Sequence, residues 1–454
     1  MREPALLQAL APRLKGRLIT AADGDYDSAR RVFNGMIDRR PLAVARCAGI
    51  DDVRLALEFA RRQALPVAVR GGGHNVAGNA VCEDGLVVDL SEMRRVDVDP
   101  RQRRARAEGG ATWGDFDAAG QQHGLATPGG IVSTTGIGGL TLGGGIGVLR
   151  GLHGLTCDNL VGARVVTAAG DVVWAGEDGD HELLWGLRGG GGNFGIVVQF
   201  EYAVHPLGDV VSGPYELPYA SAADFLRFYG EFLDGAPDEF SCDLVLRRGP
   251  DGDPRITLLT CYCGSPDRAP AVYEPLRRFP VLFDGVARRS YVESQQLYAL
   301  GSPWGQRNYW KSNGFGELSD EAAELLLDAF RSAASPLSQV ALEHLHGQVH
   351  RSSEGASAVT FAESKFNLLV NAKWLDPGDD DANVAWARAA FAALQPHMAG
   401  GAYVNYLVAE PEERVRAAYG PATYDRLVGL KERYDPGNFF RLNQNIVPSN
   451  RQRC

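Results

Sequence analysis

The stretch Arg70-Gly71-Gly72-Gly73-His74-Asn75-Val76-Ala77-Gly78 restricts the fold more than any other part of the chain. The apolar run Pro66-Val67-Ala68-Val69 reads as a buried strand that opens directly into it. Glycines in series have no side chains to pack. They can take positive φ and turn successive N–H groups toward one point, which makes a nest for an anion. A second glycine-rich block, residues 128–147, repeats this chemistry. One histidine amid so much bare main chain points to a large phosphorylated cofactor lying against backbone, with His74 as its reactive contact.

At 454 residues the chain predicts two domains. Its net charge of −10, without a dense run of Lys or Arg, argues against nucleic acid or an anionic membrane as partner. The start, Met1-Arg2-Glu3-Pro4, has no apolar signal-peptide core, and no apolar run is long enough to span a bilayer. A cytoplasmic location is the expectation. Seven widely spread cysteines do not form a disulfide framework.

The periodicity predicts a strand at 42–47, a helix capped by Asp51 and the strand at 66–69. Short strands at 86–90, 96–98 and 104–107 are expected to continue that sheet without helical crossovers. A helix follows at 112–123. Residues 136–139 and 143–147 are too rich in glycine for a helix interior and are expected as loop. A hairpin at 161–174 and a short helix at 182–187 lead to Arg188-Gly189-Gly190-Gly191-Gly192-Asn193-Phe194-Gly195 and a strand at 196–202. The formal G-x-G-x-x-G at Gly190, Gly192 and Gly195 follows a helix and opens a strand. That is the wrong context for a dinucleotide fingerprint and argues against NAD. Beyond 206, helices at 221–233, 320–332 and 381–394 alternate with strands at 244–247, 256–262, 340–346 and 366–374, which suggests an antiparallel sheet under helices.

Five motifs in order carry a resemblance over nearly the whole chain: Arg70-Gly-Gly-Gly-His74-Asn75, Gly138-Gly139-Leu-Thr-Leu-Gly143, Gly154-Leu-Thr-Cys157-Asp158-Asn159, Arg188 to Gly195, and Tyr434-Asp-Pro-Gly-Asn438. The pattern resembles the berberine-bridge-enzyme-like FAD-linked oxidases of the vanillyl-alcohol-oxidase (p-cresol methylhydroxylase, PCMH) superfamily. The resemblance implies an α+β fold with a PCMH-type FAD domain over 1–205. It also implies a substrate domain over 206–400, with an antiparallel sheet covered by helices, and a C-terminal segment, 401–454, that returns to the FAD domain. FAD would be covalently joined through His74. The position of a second, cysteinyl link is occupied by Val132, so one link is expected, and Cys157 lies well downstream. Cofactor contacts implied are Arg70, Gly71, Gly72, Gly73, His74, Asn75, Gly78, Thr134, Thr135, Gly138, Gly139, Gly144, Gly147, Asn193, Ile196, Val197, Asn405, Asn443 and Asn445. The backbone N–H groups of residues 71–75 and 134–139 can hold a pyrophosphate without cationic side chains. Thr135 falls near the position that gates oxygen in the family.

Tyr403-Val404-Asn405-Tyr406 resembles a strand facing the flavin; alternation would send Tyr403 and Asn405 to one face and Tyr406 to the other. Tyr403 and Tyr406 are candidate catalytic groups, each able to take a substrate proton if its pKa is lowered. Glu363 is a third candidate, and Tyr309 and Trp310 are candidate pocket residues. His344, His346 and His350 read as sheet-face histidines rather than metal ligands. The leading reading is oxidation of a small alcohol, amine or natural-product intermediate, with O2 as electron acceptor and H2O2 as product. A dehydrogenase with another acceptor would differ in its reoxidation by oxygen and by dyes. A flavin-containing binding protein would be indifferent to substitutions at Tyr403, Tyr406 and Glu363.

Overall fold

The computed structural model describes residue 7 and residues 9–352, 355–359, 361 and 364–449. Among these residues, three larger sheets carry an α+β fold.

The first sheet has the order Arg17–Ile19, Ala43–Arg46, Leu86–Asp89, Val67–Arg70, and the last three strands are parallel. All four residues of Leu86–Asp89 are buried, as a central parallel strand requires. Val96–Asp99, by contrast, alternates half-buried and exposed residues and forms the edge of the second sheet. The expectation of one continuous sheet from 86 to 107 is therefore corrected. Helix Ile50–Arg62 has no side-chain cap. Asp51 lies in its first turn and pairs with the Lys15 side chain; it is the next carboxylate, Asp52, that accepts the N–H groups of Lys15, Gly16 and Ala48 at 2.8, 2.9 and 2.9 Å.

The second sheet runs Val96–Asp99, Arg104–Glu108, Ile196–Ala203, Leu160–Val166, Val172–Gly176. Helix Trp113–Gln121 packs on it behind a capping box of Thr112 and Asp115. Residues Ile137–Leu142, expected as loop, are helical. Tertiary packing overrides propensity here: a side chain at Gly138 would already touch the Phe200 ring, and Thr141 Oγ1 bonds Ile137 O and the Tyr202 hydroxyl, both at 2.7 Å. The C-terminal helix Pro421–Tyr434 contributes Tyr424 and Leu427 to this same core.

The third sheet is antiparallel and larger, with the central order Val210–Pro218, Pro254–Tyr262, Phe240–Arg248, Gln339–His344, Phe366–Trp374, Arg307–Phe315. Val210–Pro218 and Arg307–Phe315 lack a clear apolar alternation, and the sequence reading does not place them. Strand alternation divides the faces. Leu244, Leu246, Val340, Leu342, Leu368 and Val370 pack beneath helices Ala222–Asp234, Asp320–Arg331 and Asp380–Leu394. Val245, Ala341 and Leu369 look the other way, toward Leu259, Trp310 and Tyr406. Among the described residues, no helix is long and apolar enough to cross a membrane.

Candidate active site

The uncovered face of the third sheet and the glycine loops of the first two enclose a cavity of about 700 Å3. The two glycine blocks meet on its wall. A Cβ on Gly72 would lie 2.3 Å from the nitrogen of Gly136, and one on Gly136 would lie 2.3 Å from that of Gly72. Only glycine permits this approach. Gly73 turns the chain with φ +67°. Among the described residues, no protein acceptor takes a hydrogen bond from the N–H groups of residues 71–75, which leaves the nest open. The second block is less available, because the N–H groups of Thr135 and Ile137 bond Val132 O and Ala111 O, both at 2.9 Å.

His74 lines the cavity, its ring stacked on Phe33 with centroids 4.1 Å apart. Its Nε2 is buried without a partner among the described residues, and burial lowers its pKa to about 4, so the ring is neutral at physiological pH. Phe33 contacts Trp310 edge-on, and Trp310 contacts Tyr406 with centroids 5.2 Å apart. Trp310 lines the cavity as expected of a pocket residue; Tyr309 packs against the helix-covered core instead.

Tyr403 and Tyr406 do not sit on a strand. Residues Val404–Tyr406 form a single 3-10 turn, which places both rings together at 4.7 Å rather than on opposite faces. The N–H of Tyr406 bonds Tyr403 O at 3.0 Å, a short-range bond that a strand would not make. The Tyr403 hydroxyl accepts N–H groups of Gly145 and Ile146 at 3.0 and 3.2 Å, and Asn405 Nδ2 at 2.9 Å. Asn405 also bonds Leu140 O at 3.0 Å. Tyr403 thus clamps the second glycine block. Burial raises its pKa rather than lowering it, against what a proton acceptor requires.

Tyr406 donates to Glu343 Oε1 at 2.8 Å, and Asn367 Nδ2 donates to the other carboxylate oxygen at 2.6 Å. Burial and the charge of Glu343 raise the pKa of Tyr406 as well, so the condition of a lowered pKa is not met at either tyrosine. Burial, then repulsion from Asp243, raises Glu343 to about 7; the Asn367 bond, the charge of Arg150 and the Tyr406 bond oppose the rise. Glu343 lines the cavity. The sequence reading missed it, although an acidic residue in the otherwise apolar Val340-Ala341-Leu342-Glu343 was the available signal. Glu363, the carboxylate singled out instead, lies outside the described residues.

Of the remaining cofactor candidates, Gly71, Gly72, Gly73, Asn75, Thr135, Gly138, Gly139, Ile196, Val197, Asn405 and Asn443 reach the cavity wall. Others do not. Arg70 is turned away to the carbonyl of Ala29. Gly78 turns the chain at φ +70° against Ile37. Gly147 is packed on the backbone of Gly129, and Gly144 against Val359 and Tyr403. Asn193 is buried and clips the C-terminal tail, bonding Gly190 O, Gln444 O and the N–H of Ile446 at 2.8, 3.1 and 3.0 Å. Thr134 and Asn445 also lie off the wall, Val132 stands in it, and Phe33 and Gln444 join it unforeseen. Cys157 is buried among Ile146, Leu155 and Tyr403, away from the cavity wall. His344 and His346 stack at 4.4 Å, and no cluster able to hold a metal occurs among the described residues.

Two family descriptions match the chain: "FAD binding domain" over residues 41–176 and "Berberine and berberine like" over residues 402–447. An FAD-linked oxidoreductase of Dictyostelium discoideum is 31% identical, the alignment covering 96% of this chain and 95% of that one. The (R)-6-hydroxynicotine oxidase of Paenarthrobacter nicotinovorans is 30% identical over 96% and 97% of the two chains. The crystal structure of 6-hydroxy-D-nicotine oxidase from Arthrobacter nicotinovorans superposes with a TM-score of 0.89 at 29% identity, covering 96% of this chain and 98% of that one. The residues present fit FAD. The open nest suits a pyrophosphate, Asn443 Oδ1 on the wall is buried without a partner among the described residues, and Gly139 and Gly192 face open space. On sequence, fold and site together, this chain belongs to the berberine-bridge-enzyme-like family of FAD-linked oxidoreductases.

Proposed function

We propose that the protein is an FAD-dependent oxidase of a small alcohol, amine or natural-product intermediate, acting in secondary metabolism. The Tyr406–Glu343 pair at the cavity wall carries this reading. FAD, when bound, supplies the two-electron acceptor for the hydride leaving the substrate carbon, with dioxygen taking both electrons and two protons as hydrogen peroxide. The O–H or N–H proton of the substrate passes to Tyr406 Oη as the tyrosine proton moves to Glu343, so no free phenolate is required. Arg150, buried and paired with Asp243, holds positive charge behind this carboxylate. The oxidase names of the relatives support O2 as acceptor, and Thr135 on the cavity wall is the candidate gate.

His74 is proposed as the covalent attachment point, supported by its neutral ring in the wall, whose Nε2 has no partner among the described residues. Val132, also in the wall, offers no thiol for a second link. Residues 1–205 with 401–454 are read as the FAD unit and 206–400 as the substrate unit, supported by the cores that each shares.

The test is peroxide release across alcohols and amines, beside reduction of an artificial dye without oxygen. Turnover with stoichiometric peroxide supports an oxidase; dye reduction without peroxide means a dehydrogenase. Loss of neither activity in Glu343→Gln would sink the proton route.

A further inference from the structure

The cavity face of the third sheet is graded from one end to the other. Glu343, Asn367 and Tyr406 form its reactive end, and Val245, Ala341, Leu369 and Leu259 form an apolar middle. At the far end stand Gln339, Asn371, Arg247 and Lys373. Gln339 and Glu343 are four residues apart on one strand, which separates the two ends by roughly 13 Å.

Lys373 is the unusual member. It is 5% exposed, yet no carboxylate pairs with it among the described residues. Its Nζ has two long contacts, to Gly301 O at 3.3 Å and Gln339 Oε1 at 3.5 Å. The neighbouring positive charges are already matched. Glu216 takes both Arg247 and Arg255, the latter at 2.7 Å, and Asp251 also pairs with Arg255. Asn371 Oδ1, beside it on the same strand face, is buried without a partner among the described residues. A buried ammonium without an anion is costly, and burial lowers the Lys373 pKa to about 8. Such a group is stabilised by an anion that arrives with the ligand.

We infer that Lys373 anchors a substrate carboxylate, so that the enzyme acts on an amphipathic acid whose oxidisable hydroxyl or amine lies at the opposite end of an apolar spacer. The inference rests on reading this cavity as the substrate pocket. One ammonium flanked by two carboxamides suits a monoanion; a phosphate would call on the guanidiniums that Glu216 and Asp251 already neutralise. Lys373 is a specificity residue in this account, remote from the reacting atoms.

The test uses the holoenzyme and calorimetric titration with ω-phenylalkanoates, from the acetate to the hexanoate, each against its carboxamide. The wild-type protein should bind the best acid about tenfold or more tighter than its amide. Lys373→Met should abolish that preference and Lys373→Arg should keep most of it. Equal binding of acid and amide by the wild type, or no binding of any acid, overturns the inference without recourse to a variant. So does an unchanged preference in a folded Lys373→Met protein. Binding is read separately from turnover: the Glu343→Gln variant decides the reaction, and the acid preference decides the role of Lys373.

Discussion

Tyr406 Oη lies 2.8 Å from Glu343 Oε1, a bond between a turn near the C-terminus and a strand of the third sheet, 63 residues away in sequence. Glu343 is buried and Tyr406 half-buried; the carboxylate raises the pKa of the tyrosine while the tyrosine's bond lowers that of the carboxylate, so the hydroxyl keeps its proton and shares it with Glu343. The pair is therefore the centre of the predicted chemistry. Glu343→Gln should lower kcat by about 10²-fold or more, and Tyr406→Phe should lower it by a smaller factor, both with FAD content unchanged. Stopped-flow reduction under anaerobic conditions checks this directly.

The pH profile follows from the same carboxylate. Glu343 must be ionised to accept a proton, and its raised pKa delays ionisation to about 7. Activity should thus rise with pH through about 7, and for an acid substrate held by Lys373, whose pKa burial lowers to about 8, a separate falling limb follows. His74, neutral above about 4, adds no limb in this range. The rising limb should vanish in Glu343→Gln when kcat/KM is measured from pH 5 to 9.

For the flavin link, the purified protein should stay yellow in an acid-precipitated pellet. Its intact mass should exceed the chain by one FAD, and His74→Ala should lose both signs. Cys157→Ser should lose neither, because Cys157 is packed away from the cavity. Colour released to the supernatant by the wild type would refute covalency.

Tyr403→Phe removes the acceptor of two buried N–H groups in the second glycine block. The expected cost is about 1–3 kcal/mol, read as a lower midpoint in urea and weaker retention of flavin. The hydride step should change less than in Tyr406→Phe, because this hydroxyl holds backbone rather than a carboxylate.

Asp117 predicts a pH dependence of stability. It is buried against Gln295, with one oxygen unpartnered, and burial raises its pKa to about 8. Its unfolded value is about 3.9. Between the two, the folded chain holds a proton that the unfolded chain has lost, so stability falls as pH rises from about 4 to about 8 and is flat above. Glu343 adds a slope of the same sign up to about 7. Thermal midpoints of Asp117→Asn should fall less between pH 5 and 9 than those of the wild type.

The residues themselves announced the glycine blocks, the lone His74, most of the longer helices and the covered antiparallel sheet. Glycine positions record local backbone demands, such as the positive φ of Gly73, and periodicity records which side of an element is buried. The helix at Ile137–Leu142 went unread because the packing that stabilises it comes from Phe200 and Tyr202, on another strand. The same holds for the site. Glu343 joins Tyr406, and Lys373 stands without a carboxylate among the described residues, only because strands and a turn distant in sequence meet at one sheet face. Local propensity can state what each segment is. Which buried charge finds a partner depends on long-range pairing, and only the tertiary structure decided that.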